Sequence, residues 1–200
     1  VADPGRYGIN PINAAVPGCS AAAAGEEGRN FAGEPWNPVL CVPNPVTENL
    51  TTPPDGVVLY VGARPNDWLF FDGDLAPACD PRFDERYREN TEALLRDVTD
   101  DGAIPSVIAT IPPSGEFALP VRESEDRIAC INEQIRRVAE SVPGASVLDM
   151  GAIVCPGGEC LEEWEGAGVR SDGVHFDEGP GGAHIADLAV AAALDQMGLG

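Results

Sequence analysis

The chain has 200 residues, of which 44% are hydrophobic, so its length and composition fit a single domain over residues 1–200 with a sizeable core. Its net charge is −21, and it contains no lysine, so the positively charged side chains at neutral pH are arginines. Such a surface repels phosphate backbones and anionic lipids, which argues against nucleic acid as a partner. No run of about 20 apolar residues is present, so the sequence predicts no membrane-spanning helix within it.

The first quarter of the chain predicts little regular structure. Residues 8–16 are apolar enough for a short strand, which Pro11 restricts to a sheet edge or an irregular segment. Residues 20–55 are rich in Pro, Gly, Asn and Thr and predict a long irregular loop. Loops of this length are uncommon unless they are functional or cross-linked.

Strands alternate with helices from residue 57 onward. Continuous apolar runs bounded by turn residues predict strands covered on both faces, at residues 57–61, 107–111 and 146–150. Helices are predicted from the Asp80-Pro81 cap, from a cap at Ser124, and over residues 180–197. The alternation predicts an α/β fold in which a parallel sheet lies between helical layers. In such sheets the functional residues usually lie at the carboxyl ends of the strands.

Six widely spaced cysteines indicate disulfides and an oxidising compartment: Cys19, Cys41, Cys79, Cys130, Cys155 and Cys160. A turn separates the last two, which can therefore close a small loop. The simplest pairing of the other four joins the first to the second and the third to the fourth, among the many connectivities that six cysteines allow. Zinc is disfavoured because no CxxC pair occurs, so no metal site is expected. No export signal is visible, so we expect it to lie outside these residues.

Asp172 precedes His175 by three residues, just ahead of the last predicted helix. Histidine accepts and returns protons near neutral pH. Within a turn, the Asp172 carboxylate can hold one ring nitrogen while the other deprotonates a hydroxyl. Spacing alone is equally typical of a surface histidine beside a helix cap. The other histidine, His184, is interpreted as a structural or surface residue.

Two residues that follow predicted strands offer donors for an oxyanion hole. Gly18 ends the segment after the first predicted strand, and its backbone N–H can approach a substrate closely. Asn66 follows the strand at 57–61 and offers a side-chain amide. Simple turns are the alternative at both positions. Arg64 or Trp68 are alternative residues for lining the same site.

Blocks along the chain from residue 8 onward resemble the SGNH hydrolase superfamily. The similarity is closest to the SGNH domains that follow the membrane acyltransferase-3 domain in bacterial cell-envelope proteins. The most specific block is residues 169–176, VRSDGVHF, followed by Gly182-Ala183. Further blocks carry the resemblance at residues 13–19, 55–62, 80–84, 102–112, 126–132, 147–150 and 155–158.

The resemblance implies a flavodoxin-like three-layer α/β/α fold with Ser-His-Asp chemistry. His175 would be the general base, Asp172 its orienting acid and Gly18 the oxyanion-hole glycine. The Gly-Asp-Ser block of the family has no counterpart here, which implies that this chain lacks its first strand and helix and is inactive alone. The nucleophile is therefore unknown, since Ser20 and Ser114 do not match the family's serine position.

The resemblance also implies a function outside the cytoplasm. An ester hydrolase or O-acyltransferase would move an acetyl or similar acyl group to or from a cell-envelope carbohydrate hydroxyl, without a cofactor. The substrate would be an acylated carbohydrate or small ester, with a membrane acyltransferase domain in the same polypeptide. The domain would be periplasmic or on the outer face of the membrane, and membrane-tethered.

Two alternatives remain open. One is a non-catalytic carbohydrate-binding or scaffolding domain of the same fold, for which Trp36, Trp68 and Trp164 offer stacking surfaces. Anchoring of the core or of a loop is the competing role for each tryptophan. The other alternative is a small secreted esterase without a membrane partner.

Overall fold

The computed structural model describes residues 4–10, 19–20, 28–29, 35–36, 39–40, 53–61, 68–71, 74–113, 121–173 and 175–200. The elements in the first part of the chain are α1 (Pro4–Tyr7), β1 (Cys19–Ser20), β2 (Gly28–Arg29), β3 (Pro35–Trp36), β4 (Val39–Leu40), β5 (Val57–Leu59), β6 (Trp68–Phe71) and β7 (Asp74–Pro77). The remaining elements are α2 (Pro81–Val98), β8 (Ser106–Ala109), α3 (Val121–Ser141), β9 (Ala145–Leu148), α4 (Met150–Val154), β10 (Glu163–Trp164), β11 (Ala167–Gly168) and α5 (Pro180–Met197).

A parallel sheet of three strands in the order β5-β8-β9 forms the centre of the fold. All four residues of β8, the middle strand, are buried. Val107 of β8 lies in register with Val58 on one side and Ser146 on the other. Because β8 is covered on both faces, its continuous apolar sequence is explained by its position in the sheet.

Helices cover both faces of the central sheet. On one face, α2 and α3 pack against each other and against the strands, and they bury Phe83, Leu95 and Ile135. On the other face, α4 and α5 form a second cluster with β8 and β9 that includes Ile185. The chain is therefore an α/β protein with a parallel sheet between helices, which is compatible with a three-layer α/β/α arrangement and agrees with the sequence prediction.

The helix α2 is fixed at its start by local and distant contacts. Asp80 accepts a hydrogen bond from the backbone N–H of Arg82, with Pro81 at the first helical position, as the sequence predicts. The disulfide Cys79–Cys130 joins this end of α2 to α3. Further along, the buried Tyr87 hydroxyl donates to the Val61 carbonyl oxygen at 2.8 Å. The segment that follows β5 is therefore held by α2.

A second sheet of four strands, β3-β2-β6-β7, is antiparallel and was not predicted. The prediction of an irregular loop over residues 20–55 is therefore wrong where β1 to β4 lie. Strands of two residues are too short to give a hydrophobic period. The prediction of a strand over 8–16 is wrong at residues 8–10, which follow α1 without strand structure, and residues 11–16 lie outside the described part.

The sequence placed some element ends incorrectly. Helix α3 begins at Val121, directly after Pro120, so Ser124 is a buried residue inside the helix and not its cap. Strand β9 ends at Leu148 because Asp149 accepts a hydrogen bond from the Ala152 N–H and starts α4. The helix predicted over residues 180–197 is confirmed as α5.

Strand β5 differs from the prediction that both of its faces are covered. Val58 is 54% exposed and Tyr60 is 56% exposed. Val57, Leu59 and Val61 pack against the α2–α3 cluster. On the opposite face, α5 packs against β8 and β9, and Val58 of β5 and the following Tyr60 stay largely uncovered.

Two disulfides are present among the described residues, Cys79–Cys130 and Cys155–Cys160, and both were predicted. The predicted Cys19–Cys41 bond lies outside the described side chains. Cross-links of this kind persist in oxidising environments, which indicates that the protein functions outside the cytoplasm. In the part of the chain that the structure describes, no helix is both long enough and apolar enough to span a bilayer.

Candidate active site

The candidate site lies on the segment between β11 and α5, here called the histidine loop (residues 169–177). Val169 at its start is fully buried, and its carbonyl oxygen accepts a hydrogen bond from the Asp177 N–H at 3.0 Å. The two ends of the histidine loop are therefore joined by a backbone contact. Between these ends the loop turns outward, and it carries Asp172 and His175 at its exposed tip.

The tip of the histidine loop is shaped by a glycine and by a carboxylate. The Gly173 N–H donates to the Arg170 carbonyl oxygen at 2.8 Å, and Gly173 has a φ of 75°, which favours glycine. The His175 N–H then donates to Asp172 Oδ1 at 2.7 Å. A side chain that accepts from a backbone N–H a few residues later is a common turn device of aspartate. The Asp172 carboxylate is therefore held in place by the backbone N–H of His175.

Asp172 contacts His175 a second time, through the ring. His175 Nδ1 lies 2.6 Å from Asp172 Oδ2. With a proton on Nδ1, the ring donates to the carboxylate, and Nε2 carries the lone pair that accepts a proton. The His175 side chain is 76% exposed and the Asp172 side chain 46% exposed. The sequence predicted that these two residues act together, and the structure places them in direct contact.

Asp177 holds the base of the histidine loop. Its carboxylate accepts hydrogen bonds from the Ser171 N–H, at 3.1 Å to Oδ1, and from the Ser171 hydroxyl. The backbone of α5 approaches closely here, because a Cβ on Gly182 would overlap the Asp177 carbonyl oxygen. A Cβ on Gly181 would similarly overlap the Gly168 carbonyl oxygen. The two glycines at the start of α5 thus allow the histidine loop to lie against the helix.

Arg170 connects the histidine loop to the ends of the central strands. Its Nη1 donates to the carbonyl oxygen of Pro113, which follows β8. Its guanidinium lies over the Phe176 ring, 5.6 Å from the ring centroid. The Asp172 carboxylate raises the pKa of Arg170, and an ionised Tyr60, just after β5, would act in the same direction, so both side chains lie near the guanidinium. The histidine loop therefore lies at the carboxyl ends of β5 and β8, the edge at which parallel α/β sheets usually bind ligands.

The segment after β8 that receives Arg170 is itself well fixed. The side-chain amide of Asn132 in α3 pairs with the backbone of Ile111, with two hydrogen bonds of 2.8 Å. The Thr110 hydroxyl accepts from the Met150 N–H at 2.9 Å. These contacts tie the end of β8 to α3 and to the start of α4. Arg170 is thus anchored to a rigid part of the molecule.

The predicted oxyanion-hole residues Gly18 and Asn66 lie outside the described residues. So do the alternatives Arg64 and Ser114, and the side chains of Ser20, Trp36 and Trp68. Their proposed roles stay predictions. Among the described residues, no group of three or more His, Cys, Asp or Glu side chains is arranged to hold a metal ion.

The second histidine has a structural contact. His184 in α5 stacks on Trp164 of β10, with ring centroids 3.5 Å apart and an angle of 5° between the planes. The stack holds the β10–β11 hairpin against α5. This contact agrees with the interpretation of His184 as structural and of Trp164 as a loop anchor.

Sequence reasoning did not identify Arg170 or Asp177 as functional residues. Both lie in or beside the VRSDGVHF block, but neither has a spacing that indicates its partner. Arg170 contacts a residue 57 positions away, and no periodic pattern reveals such a contact. The only sequence signal for Asp177 is its place just before the glycines of α5.

Neither models of known protein families nor curated proteins match this chain. The family resemblance therefore rests on the sequence blocks given above.

Proposed function

We propose that the chain is an SGNH-type domain of an extracytoplasmic ester hydrolase or O-acyltransferase. The observation that carries the proposal is the contact between His175 Nδ1 and Asp172 Oδ2 at 2.6 Å. It is supported by the position of the histidine loop at the carboxyl ends of β5 and β8, with Arg170 donating to Pro113. An exposed imidazole held in one tautomer by a carboxylate is suited to general-base catalysis.

In the proposed reaction, His175 Nε2 accepts the proton of a serine hydroxyl while the serine oxygen attacks the ester carbonyl carbon. The Asp172 carboxylate stabilises the imidazolium that forms. Gly18 N–H and the Asn66 amide are proposed to hydrogen-bond the oxyanion. His175 then returns the proton to the leaving alcohol, and the acyl group stays on the serine. A water or a carbohydrate hydroxyl, deprotonated in turn by His175, removes the acyl group.

The proposal places the serine on a strand and helix outside residues 1–200, as part of a flavodoxin-like sheet. Its support is the edge position of β5, which pairs with β8 on one side and with no other described strand. The unpaired backbone N–H and C=O groups of an edge strand favour pairing with a further strand. A helix packed on the open face would cover Val58, which is 54% exposed. A strand beside β5 would end next to Tyr60, whose side chain lies near Arg170 of the histidine loop. A serine at its carboxyl end would therefore lie near His175.

The proposed substrate is an acylated carbohydrate or a small ester of the cell envelope. The disulfides support a location outside the cytoplasm, and the net charge of −21 disfavours nucleic acid as a substrate. A membrane acyltransferase domain in the same polypeptide, tethering this domain at the periplasmic or outer membrane face, is the proposed partner. The proposed chemistry uses side chains and backbone donors without a metal or organic cofactor.

The test is hydrolysis of an acetyl ester by the intact protein that contains this chain. We expect His175→Ala to lower kcat by about 10² to 10⁴-fold, because the general base is removed. Asp172→Asn should lower kcat as well, since an amide that donates to Nδ1 holds the wrong tautomer. His184→Ala is the matched control and should retain full turnover. Unchanged turnover by a folded His175→Ala protein would reject the proposal.

A non-catalytic carbohydrate-binding domain is the second candidate. The observation that favours it is the open position of His175, since no described residue donates a hydroxyl to its Nε2, and the ring is 76% exposed. A binding domain would bind a deacylated oligosaccharide in calorimetry, and His175→Ala would leave ester turnover unaffected. An enzyme would instead lose turnover on this substitution.

A further inference from the structure

Arg170 connects the histidine loop to the segment that follows β8. Asp177 closes the loop at its base, through its N–H to Val169 and its carboxylate to Ser171. Asp172 and His175 lie between Ser171 and Asp177, at the exposed tip. The bond from Arg170, two residues before Asp172, to the Pro113 carbonyl oxygen joins this part of the loop to the segment after β8.

The guanidinium makes three different kinds of contact at this position. It donates a hydrogen bond to Pro113, it makes a cation–π contact with the ring of Phe176 directly after His175, and it interacts electrostatically with Asp172. Partial burial lowers the pKa of Arg170, and the interactions with Tyr60 and Asp172 oppose this decrease. Arginine remains charged in spite of such a decrease because its ordinary pKa lies far above neutral pH. The planar fork of arginine can donate and stack at once, which lysine cannot do.

We propose that Arg170 is a positioning residue that fixes the Asp172–His175 pair over the carboxyl ends of β5 and β8. This inference rests on the proposed function, and it adds a residue that acts through Asp172 and His175 without touching the reacting atoms. Loss of the Pro113 contact and of the stack on Phe176 would let the tip of the histidine loop move. A displacement of about 1 Å of a catalytic group can cost 10²-fold in rate.

The experiment measures kcat and KM for an acetyl ester with the intact protein and its variants. Arg170→Met keeps an unbranched side chain but removes the positive charge, the hydrogen-bond donor to Pro113 and the cation–π contact with Phe176. We expect it to lower kcat by about tenfold or more, with KM within about twofold of wild type. Arg170→Lys keeps the charge and one donor and should give an intermediate kcat. Arg136→Met, at an exposed arginine of α3, is the matched control and should leave both constants unchanged.

A wild-type kcat in Arg170→Met would overturn the positioning role, and so would an increase in KM with an unchanged kcat. His175→Ala is measured in parallel to separate the two proposals. If His175→Ala is inactive while Arg170→Met is fully active, the positioning role fails and the proposed function stands. If His175→Ala is fully active, the proposed function itself fails.

Hydrogen exchange separates positioning from a general loss of structure. In Arg170→Met we expect faster exchange in a peptide that covers Gly173 and His175, whose N–H groups are bonded within the histidine loop. Exchange in β8, at the middle of the sheet, should not change. If Arg170→Met does not fold, Arg170→Lys and Phe176→Leu provide the test, and Phe176→Leu should lower kcat by a few fold by removing the stack. Wild-type kcat in both of these variants would overturn the inference.

Discussion

The α2–α3 side of the sheet and the histidine loop are stabilised by different physical interactions. The α2–α3 cluster is apolar and nearly dry, with Phe83, Leu95 and Ile135 at most 1% exposed. Among its described residues, the histidine loop has one fully buried apolar side chain, Val169, and its other contacts come from carboxylates, backbone groups and one arginine. The first arrangement supplies stability, and the second places the side chains of Asp172 and His175 at the surface.

The energies of the two regions differ accordingly. Burial of one large aliphatic side chain contributes about 1.5–3 kcal/mol. A single hydrogen bond contributes about 0.5–1.5 kcal/mol in net terms. We therefore expect substitutions in the α2–α3 cluster to change the free energy of unfolding, and substitutions in the histidine loop to change turnover. Three substitutions, in order of decreasing effect, test this separation.

The largest effect is expected for Ile135→Ala in α3, where the side chain is fully buried. Removal of its outer carbons leaves a cavity and should lower the free energy of unfolding by about 2–5 kcal/mol. Urea unfolding of the intact protein measures this change, and Arg136→Ala at the neighbouring exposed position is the control. Turnover per folded molecule should equal that of wild type. A large loss of turnover in the folded fraction would show that the two regions are coupled.

A smaller effect is expected for Gly182→Ala at the start of α5. The new Cβ would overlap the Asp177 carbonyl oxygen, so the end of the histidine loop must shift. We expect a loss of about 1–3 kcal/mol in the free energy of unfolding, together with a lower kcat. Gly179→Ala is the control, because the structure leaves open space at that position. Equal kcat values in the two variants would mean that the loop tolerates displacement of its base.

The smallest effect is expected for Asp80→Ala at the start of α2, far along the chain from the histidine loop. The hydrogen bond from the Arg82 side chain lowers the pKa of the Asp80 carboxyl below its ordinary value, and the bond from the Arg82 N–H acts in the same direction. A lowered pKa in the folded state stabilises the protein above the unfolded pKa, and this stabilisation is lost as the pH falls through the folded value.

At neutral pH, Asp80→Ala should therefore cost about 1 kcal/mol in the free energy of unfolding through loss of the helix cap. The difference from wild type should shrink as the pH falls from neutral to an acidic value below the lowered pKa of the Asp80 carboxyl, where the carboxyl becomes protonated. Thermal unfolding of the wild-type protein and of Asp80→Ala at the two pH values measures this difference in stability. A difference that grows on acidification would contradict the assigned sign of the pKa change, and altered turnover would contradict the separation of the two regions.

Sequence reasoning predicted the regions whose residues repeat with a regular period. Strand β8 and helices α2 and α5 follow from apolar runs, spacing and capping residues, since local preferences and burial agree there. The sheet of β2, β3, β6 and β7 was missed because its register depends on pairings between distant short strands. The exposure of β5 was missed because an apolar run does not reveal which neighbours are present.

The candidate site was predictable where its residues are close in sequence. Asp172 and His175 are three residues apart, so a turn suffices to bring them together. Arg170 and Pro113 are 57 residues apart, and their contact depends on the order of the strands and on the fixed segment after β8. The predicted Cys79–Cys130 bond is an intermediate case, since the cysteines limit the possible pairs although they are 51 residues apart.

The most direct test of the central claim is covalent labelling of the intact protein with a fluorophosphonate, which reacts with serine residues activated by a general base. We predict one labelled serine, located by mass spectrometry outside residues 1–200, and the loss of that label in His175→Ala with the fold retained. Labelling that is absent from the wild-type protein, or that is equally strong without His175, would contradict the account.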